Sequence, residues 1–309
     1  MYVKRDFFCL LSTSSAILLE KINRRMKLKI AIQKSGRLYD ESIALLRKCG
    51  LKVDNTKGQL KAPVRGYDAE VYFLRNSDIP RYLADGVVDI AVIGQNVLAE
   101  TDVEVETLTA LGFSNCRLSI ASPRSEEYND ISDLQGKRIA TSYPVSLQKY
   151  LTEAGVTADI HTISGSVEIA PSIGLADAVC DLVSSGSTLF KNGLEEREIL
   201  LTSEAVLAAN KTSYLNNTAA IDELTRRVKS VTEAKENKYI LFNVPNEKIA
   251  EVSKILPVLK SPTLLPLAEA GWSSMHSVIK QSDFWTVINE LRAAGAEGIL
   301  VIPIDNIIL

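Results

Sequence analysis

The sequence is poor in the residues that build metal centres and disulfide frameworks. Histidine occurs only twice, at His161 and His276, which argues against a histidine-rich metal site and is more typical of structural or exposed residues. No two cysteines form a C-x-x-C pair, and their spacing fits neither a zinc site nor a disulfide scaffold. We therefore expect buried thiols in a reducing compartment. The four cysteines are Cys9, Cys49, Cys116 and Cys180.

An excess of positive charge and a long apolar run are also missing. The 309 residues include 35 Lys and Arg against 38 Asp and Glu, a formal net charge of −3. This balance shows no electrostatic signature of a nucleic-acid or anionic-membrane partner. No apolar run approaches the roughly 20 residues of a transmembrane helix. We expect a cytoplasmic protein in which any phosphate site is local.

The first 25 residues have only some features of a signal peptide. Lys4 and Arg5 precede an apolar stretch, Phe7 to Leu19, that is broken by a Ser-Thr-Ser-Ser run. A small-x-small cleavage site is missing, and the segment ends in basic residues. We therefore interpret residues 1–25 as an extension outside the fold and Met26 as the functional start.

Two segments of the chain resemble each other. A strand, a polar loop and a helix are predicted over Leu28–Cys49, and the same order recurs over Lys137–Ala154. Further along, Ala84–Val97 and Ala176–Leu189 align without gaps and share five of 14 residues, two of them Asp89/Asp181 and Gly94/Gly186. The repeat predicts two similar α/β lobes with a cleft between them, where the ends of buried strands place ligands.

The predicted lobes leave a separate C-terminal segment. We assign the first lobe to residues 26–116 with a return over 196–230, and the second to 117–195. The return contains a predicted helix, 217–236, with apolar residues at helical spacing. Residues 231–309 show a βαββαβ order, typical of ferredoxin-like regulatory domains. The predicted elements are Lys238–Val244, Asn246–Leu256, Thr263–Leu267, Ser273–Ile279, Asp283–Ala294 and Gly298–Ile302.

A loop of hydroxyls and glycine follows the second repeat strand. Asp181-Leu182-Val183 leads directly into Ser184-Ser185-Gly186-Ser187-Thr188. Such a loop offers backbone N–H groups and hydroxyls to an anion, and Gly186 permits close approach of the backbone. Carboxylates repel phosphate, so Asp177 and Asp181 suit ribose hydroxyls or a magnesium ion better. The pattern indicates a sugar-phosphate site, although an ordinary polar β–α turn has the same composition.

Three cations lie near predicted strand ends of the first lobe. Lys34 and Arg37 follow the first strand, and Arg75 stands in a polar segment before Ile79-Pro80. They are candidates to hold polyphosphate, with Arg37 able to bind it in bidentate fashion. Each of them is equally typical of a solvated surface. Glu168 is open to two interpretations, a helix cap or a site residue.

These motifs resemble the long-form ATP phosphoribosyltransferases of histidine biosynthesis. Glu168–Leu189 follows the family signature throughout, and similar segments extend over residues 26–309. Two differences alter the local charge: Asn76-Ser77 stands where many long forms have Asp-Asp, and Ser172 stands where many have Arg. The similar segments are IAIQKSGRL (30–38), DGVVDIAVIG (85–94), CRLSIASP (116–123), KRIATSYP (137–144), SPTLLPLA (261–268) and LVIPI (300–304).

The resemblance implies an activity and a set of site residues. It implies two lobes like those of type II periplasmic binding proteins, with a ferredoxin-like regulatory domain. The implied enzyme transfers phosphoribosyl from phosphoribosyl pyrophosphate to N1 of ATP, uses Mg²⁺, is inhibited by histidine and forms dimers and hexamers. The implied catalytic residues are Lys34, Arg37, Glu168 and Asp181. The implied substrate-binding residues are Arg75, Asp177, Ser184, Ser185, Gly186, Ser187 and Thr188. The implied histidine contacts are Asn243, Leu259, Ser261 and Thr263.

Two other classes of protein share parts of this pattern. A solute-binding protein or ligand-sensing domain has the same two lobes, but it predicts an export signal or a DNA-binding segment and no sugar-phosphate loop. A stand-alone amino-acid sensor accounts only for the last 75 or so residues.

Overall fold

The computed structural model describes residues 27–54, 58–256 and 261–308. The predicted extension, residues 1–25, and Leu259 lie outside these ranges. Within them, no helix is long and apolar enough to cross a bilayer. The strands are β1 (Leu28–Gln33), β2 (Lys52–Val53), β3 (Lys61–Arg65), β4 (Ala69–Leu74), β5 (Ile90–Gly94), β6 (Glu106–Ala110), β7 (Cys116–Pro123), β8 (Arg138–Thr141), β9 (Asp159–Thr162), β10 (Ala178–Val183), β11 (Leu194–Ser203), β12 (Ala205–Ala209), β13 (Asn237–Pro245), β14 (Thr263–Pro266), β15 (Trp272–Lys280) and β16 (Glu297–Pro303). The helices are α1 (Arg37–Lys48), α2 (Ile79–Ala84), α3 (Gln95–Thr101), α4 (Pro144–Glu153), α5 (Ser187–Lys191), α6 (Lys211–Asn216), α7 (Thr218–Lys235), α8 (Ile249–Ile255) and α9 (Phe284–Ala293).

Five strands of the first sheet repeat the topology of the second sheet. The first has the order β2-β3-β4-β1-β5-β12-β6, and the second has the order β11-β7-β10-β8-β9. In the first, β1 runs parallel to β4 and β5, while β12 is antiparallel to β5. In the second, β8 runs parallel to β9 and β10, while β7 is antiparallel to β10. This shared order confirms the predicted pair of α/β lobes of the type II periplasmic-binding-protein kind.

The two repeat segments contain equivalent strands, but the alignment without gaps is four residues out of register. Asp89 accepts the backbone N–H of Lys29 just before β5, and Asp177 accepts that of Arg138 just before β10, so the structural counterpart of Asp89 is Asp177 and not Asp181. The first repeat segment contains β5 and the second contains β10. Each of these strands lies between a parallel neighbour and an antiparallel one, so the two occupy equivalent places. Both are largely buried, as expected for strands covered on both faces.

The chain returns to the first sheet later than the sequence predicts. The predicted boundary is at residue 196, but β11 pairs with β7 along its length, from Leu194 opposite Pro123 to Ser203 opposite Cys116. Residues 196–203 therefore belong to the second sheet, and the return begins with β12 at Ala205. The segment from 194 to 203 contains no glycine or proline that would mark an earlier break.

Helices bury the first sheet. The predicted return helix is present as α7, and its apolar stripe packs in one core with Leu45 and Leu46 of α1. Burial of each such side chain stabilises the fold by about 1.5–3 kcal/mol. The buried residues of the stripe are Ile221, Leu224, Val228 and Val231.

The predicted βαββαβ order is also present in the C-terminal segment. Its sheet has the order β14-β15-β13-β16. Helices α8 and α9 pack against one face, where Phe242 and Met275 are fully buried. The opposite face carries the predicted histidine contacts of β13 and β14.

Candidate active site

The hydroxyl–glycine loop forms a cavity at the end of β10. The cavity has a volume of about 250 Å³ and is lined by residues 181–189 together with Glu168. Gly186 has a left-handed backbone, with φ of 75°, immediately before α5. Because α5 begins at Ser187, the N–H groups of its first turn have no partner within the helix. The loop therefore offers hydroxyls and backbone donors to one anion, as its composition predicts.

Two carboxylates face this cavity. Asp181 lies near the end of β10, and Glu168 lies in a short helical turn, Val167–Ile169. Burial raises the pKa of Asp181, and the negative charge of Glu168 raises it further, while the N–H of Leu182 opposes the shift. The cavity thus combines anion donors with carboxylates that can accept hydrogen bonds from hydroxyl groups.

Asp177 is not part of this cavity. It precedes β10, whereas the loop follows that six-residue strand, a separation of about 20 Å at 3.3 Å per residue. Its Oδ1 lies 2.7 Å from Nη2 of Arg138, and its Oδ2 accepts the backbone N–H of the same residue at 2.9 Å. These hydrogen bonds lower the pKa of Asp177 to about 2. The predicted substrate contact is therefore corrected to an ion pair within the second lobe.

The three predicted cations lie at one edge of the first sheet. Lys34 follows β1 and Arg75 follows the parallel neighbour β4, and the N–H of Lys34 donates to the carbonyl of Leu74 at 2.8 Å. Both side chains are exposed at the carboxyl ends of their strands, where α/β sheets bind ligands.

Arg37 is the first residue of α1. Its Nε lies 3.4 Å from Oε1 of Glu41, and the side chain is 63% exposed, so a ligand can still reach it. Burial raises the pKa of the Cys116 thiol, while a hydrogen bond to Ser203 and the positive charge of Arg37 oppose the shift.

Sequence reasoning missed Tyr143. This residue follows β8, and its hydroxyl accepts a hydrogen bond from Nδ2 of Asn96 on the first lobe at 3.5 Å. Burial raises the pKa of Tyr143, and the nearby charge of Asp181 adds to the shift. The available signal was the repeat, since the β8–α4 connection corresponds to the β1–α1 connection that carries Lys34.

A second missed residue holds the start of the hydroxyl–glycine loop. Nη1 of Arg117 donates to the carbonyl of Ser184 at 3.3 Å. The same guanidinium binds Glu196 through Nε and Nη2, each at 2.5 Å from a carboxylate oxygen. No local pattern indicated this contact, because Arg117 and Glu196 meet only through the pairing of β7 with β11.

The predicted histidine contacts share one face of the third sheet. Thr263 lies opposite His276, and Asn243 lies opposite Ser274, so alternation along the strands places all four on the same side. Ser261 is exposed just before β14. His276 is half-buried, and its ring nitrogens lie 2.8 Å from the hydroxyl of Tyr239 and 3.1 Å from that of Ser274.

The two α/β lobes thus carry a hydroxyl–glycine loop with two carboxylates on one lobe and three exposed cations on the other. A family model for ATP phosphoribosyltransferase matches residues 75–230, and a model for the HisG C-terminal domain matches residues 234–306. The ATP phosphoribosyltransferase of Cytophaga hutchinsonii is 53% identical over 281 residues, which cover 91% of this chain and 98% of the relative. That of Parabacteroides distasonis is 49% identical over 282 residues, 91% of this chain and all of the relative.

A solved structure agrees with these relatives. The ATP phosphoribosyl transferase (HisG:HisZ) complex from Thermotoga maritima matches with 29% identity and a TM-score of 0.57, covering 65% of this chain and 98% of that chain. The chain belongs to the ATP phosphoribosyltransferase family, whose members act in histidine biosynthesis, and its C-terminal domain fits the long form. The resemblance in the sequence is thereby confirmed, and the alternatives of a solute-binding protein and a stand-alone sensor are set aside.

Proposed function

We propose that this chain joins phosphoribosyl pyrophosphate to N1 of the adenine of ATP, giving phosphoribosyl-ATP and pyrophosphate. The observation that carries the proposal is the cavity after β10, where the anion loop meets Asp181 and Glu168. In the reaction, the electron pair of N1 forms the new bond to C1 of the ribose. The bond from C1 to the pyrophosphate oxygen breaks, and its electrons leave with pyrophosphate.

The residues divide this task by charge. The loop, residues 184–188, binds the 5′-phosphate through backbone N–H groups and hydroxyls. Asp181 and Glu168 face the ribose. Their carboxylates accept hydrogen bonds from its hydroxyls and stabilise the positive charge that develops at C1. The cations Lys34, Arg37 and Arg75 on the first lobe hold polyphosphate. Binding both substrates between the lobes holds N1 in line with C1, which supplies much of the rate enhancement.

Magnesium fits this arrangement as a metal shared with the substrate. Among the described residues, no group of three or more His, Cys, Asp or Glu side chains is placed to hold a metal ion alone. Mg²⁺ is usually bound by one or two carboxylates together with substrate phosphates, and Asp181 and Glu168 are the residues that would hold it here. When bound, the ion neutralises charge on the pyrophosphate.

We also propose that the segment from residue 231 onward is a regulatory domain that binds histidine. Asn243, Ser261 and Thr263 present polar groups on or beside the open face of its sheet, and Leu259 completes the proposed set. We expect the chain to assemble into dimers and hexamers. The Thermotoga maritima relative was solved as a complex, which supports assembly in this family.

The test is the release of pyrophosphate from phosphoribosyl pyrophosphate in the presence of ATP and magnesium. We expect release only when all three are present. Asp181→Asn should abolish it. Asp177→Asn makes the same change of side chain four residues earlier, before β10 and outside the cavity, and should retain it. Release without ATP would indicate hydrolysis instead of transfer, and equal loss in both variants would contradict the assignment of the cavity.

A further inference from the structure

A carboxylate of the first lobe caps a helix of the second. Glu100 lies in α3, which follows β5 of the first sheet. Its Oε1 accepts the backbone N–H of Val145 at 2.8 Å, and its Oε2 accepts the backbone N–H of Ser146 at 2.9 Å. The hydroxyl of Ser146 donates to Oε2 as well, at 2.7 Å. One side chain therefore makes three hydrogen bonds across the cleft.

This contact matches the donors that α4 leaves unpaired. The helix begins with Pro144, which has no N–H, and the ladder within the helix starts with the N–H of Leu147, which donates to the carbonyl of Tyr143 at 3.1 Å. Tyr143, at the N-cap position, makes no side-chain capping bond. Val145 and Ser146 are therefore the donors that need an outside partner. A carboxylate is favoured there because the N-terminus of a helix carries partial positive charge.

A second contact of α3 reaches the same place. Asn96 is four residues before Glu100, so both side chains lie on one face of the helix. Nδ2 of Asn96 donates to the hydroxyl of Tyr143, and Oδ1 of Asn96 accepts from the hydroxyl of Ser203 at 3.0 Å. Ser203 is the last residue of β11, where the chain leaves the second sheet. Side chains of α3 therefore hydrogen-bond to the N-terminus of α4, to Tyr143 and to the end of β11.

We propose that Glu100 is a positioning residue that clasps the two lobes through the start of α4 and, together with Asn96, fixes the position of Tyr143. The clasp sets the width of the cleft in which the substrates must meet. The proposed function assigns no role to Glu100. The contact itself does not depend on the identity of the substrates, so it can be tested without them.

The first test is amide hydrogen exchange on the full chain without substrate. In Glu100→Ala, the amides of Val145 and Ser146 lose the carboxylate that accepts them, and they should exchange faster by roughly tenfold or more, the factor for one charge-assisted hydrogen bond. Glu100→Gln keeps one acceptor oxygen and should show a smaller increase. The matched control is Glu104→Ala. The side chain of Glu104 is 88% exposed, and its Oε2 lies 3.5 Å from Nζ of Lys211, so this change removes a surface carboxylate that does not cap α4. Unchanged exchange in a folded Glu100→Ala protein would overturn the proposal.

The second test is steady-state kinetics of the same variants. We expect kcat/KM for both substrates to fall by about tenfold in Glu100→Ala, corresponding to about 1.4 kcal/mol, and to fall less in Glu100→Gln. The Glu104→Ala control should match the unchanged protein. Faster exchange with unaltered kinetics would refute the positioning role. Absence of turnover in the unchanged protein would refute the proposed reaction instead, and the exchange result would still decide the clasp.

Discussion

Replacing Gly186 by alanine probes the anion loop with little disturbance of the protein. The residue has φ of 75°, and a Cβ added there would meet no atom closer than Cγ1 of Val183, at 4.0 Å. No steric clash therefore arises within the protein. The remaining effect on stability is the left-handed backbone, which costs an L-amino acid about 1–2 kcal/mol.

Gly193 provides a matched control on the same lobe. Its φ is 71°, and an added Cβ would have nothing within 4 Å, but the residue lies beyond α5 and outside the cavity. Gly186→Ala and Gly193→Ala should therefore lower Tm by similar amounts. Only at Gly186 does the new methyl group lie in the loop that we propose to approach the 5′-phosphate. We expect the KM for phosphoribosyl pyrophosphate to rise by roughly tenfold or more there, as for the loss of one charge-assisted hydrogen bond.

The assay pairs calorimetric titration with phosphoribosyl pyrophosphate and steady-state kinetics at saturating ATP. A rise in KM in Gly186→Ala without a rise in Gly193→Ala would support the loop as the phosphate site. Equal affinities in both variants, at equal loss of Tm, would show that the loop does not hold the phosphate, and the assignment would fail.

Four further substitutions test charge and regulation. Burial and the negative charge of Glu168 both raise the pKa of Asp181. Glu168→Gln should therefore lower that pKa and move the acid limb of the pH profile of kcat/KM to lower pH. An acid limb that does not move would contradict the influence of Glu168 on Asp181. The folded-state pKa of Asp181 lies above its unfolded value, so ionisation of this carboxyl destabilises the folded protein as the pH rises through that pKa. Asp181→Asn should therefore raise Tm at pH 7, and it should also abolish turnover. The pKa of Asp177 is held at about 2 by Arg138, so its stabilising effect is complete above the unfolded value, near 3.8, and is lost as the pH falls through about 2. Asp177→Asn should therefore lower the denaturation midpoint at pH 7, with a difference that vanishes on acidification, and leave the KM for phosphoribosyl pyrophosphate unchanged. Thr263→Ala should require more histidine for half inhibition, and inhibition at an unchanged concentration would argue against that site.

The sequence alone determined those features whose residues are neighbours along the chain. Asp181 and the loop at 184–188 are adjacent, so an apolar strand followed by hydroxyls and glycine was enough to predict a polar loop at a strand end, which lines one cavity with Asp181. The repeat between Ala84–Val97 and Ala176–Leu189 predicted two equivalent strands, which the structure shows as β5 and β10, but the alignment without gaps placed them four residues out of register. Helical spacing of apolar residues was likewise enough to predict α7.

The tertiary structure decided what depends on where distant segments meet. Glu100 and Val145 are 45 residues apart and meet because the two lobes approach each other. Arg117 and Glu196 are 79 residues apart and meet because β7 pairs with β11. The same holds for β11, whose place in the second sheet follows from its register with β7 and not from its own composition. Asp177 and Asp181 are alike in sequence, but Asp177 precedes β10 and Asp181 lies within it towards the loop, so one forms an ion pair and the other faces the cavity. Local patterns encode elements and loops, whereas the partners of a side chain are set by sheet order and register, which bring together residues far apart in the sequence.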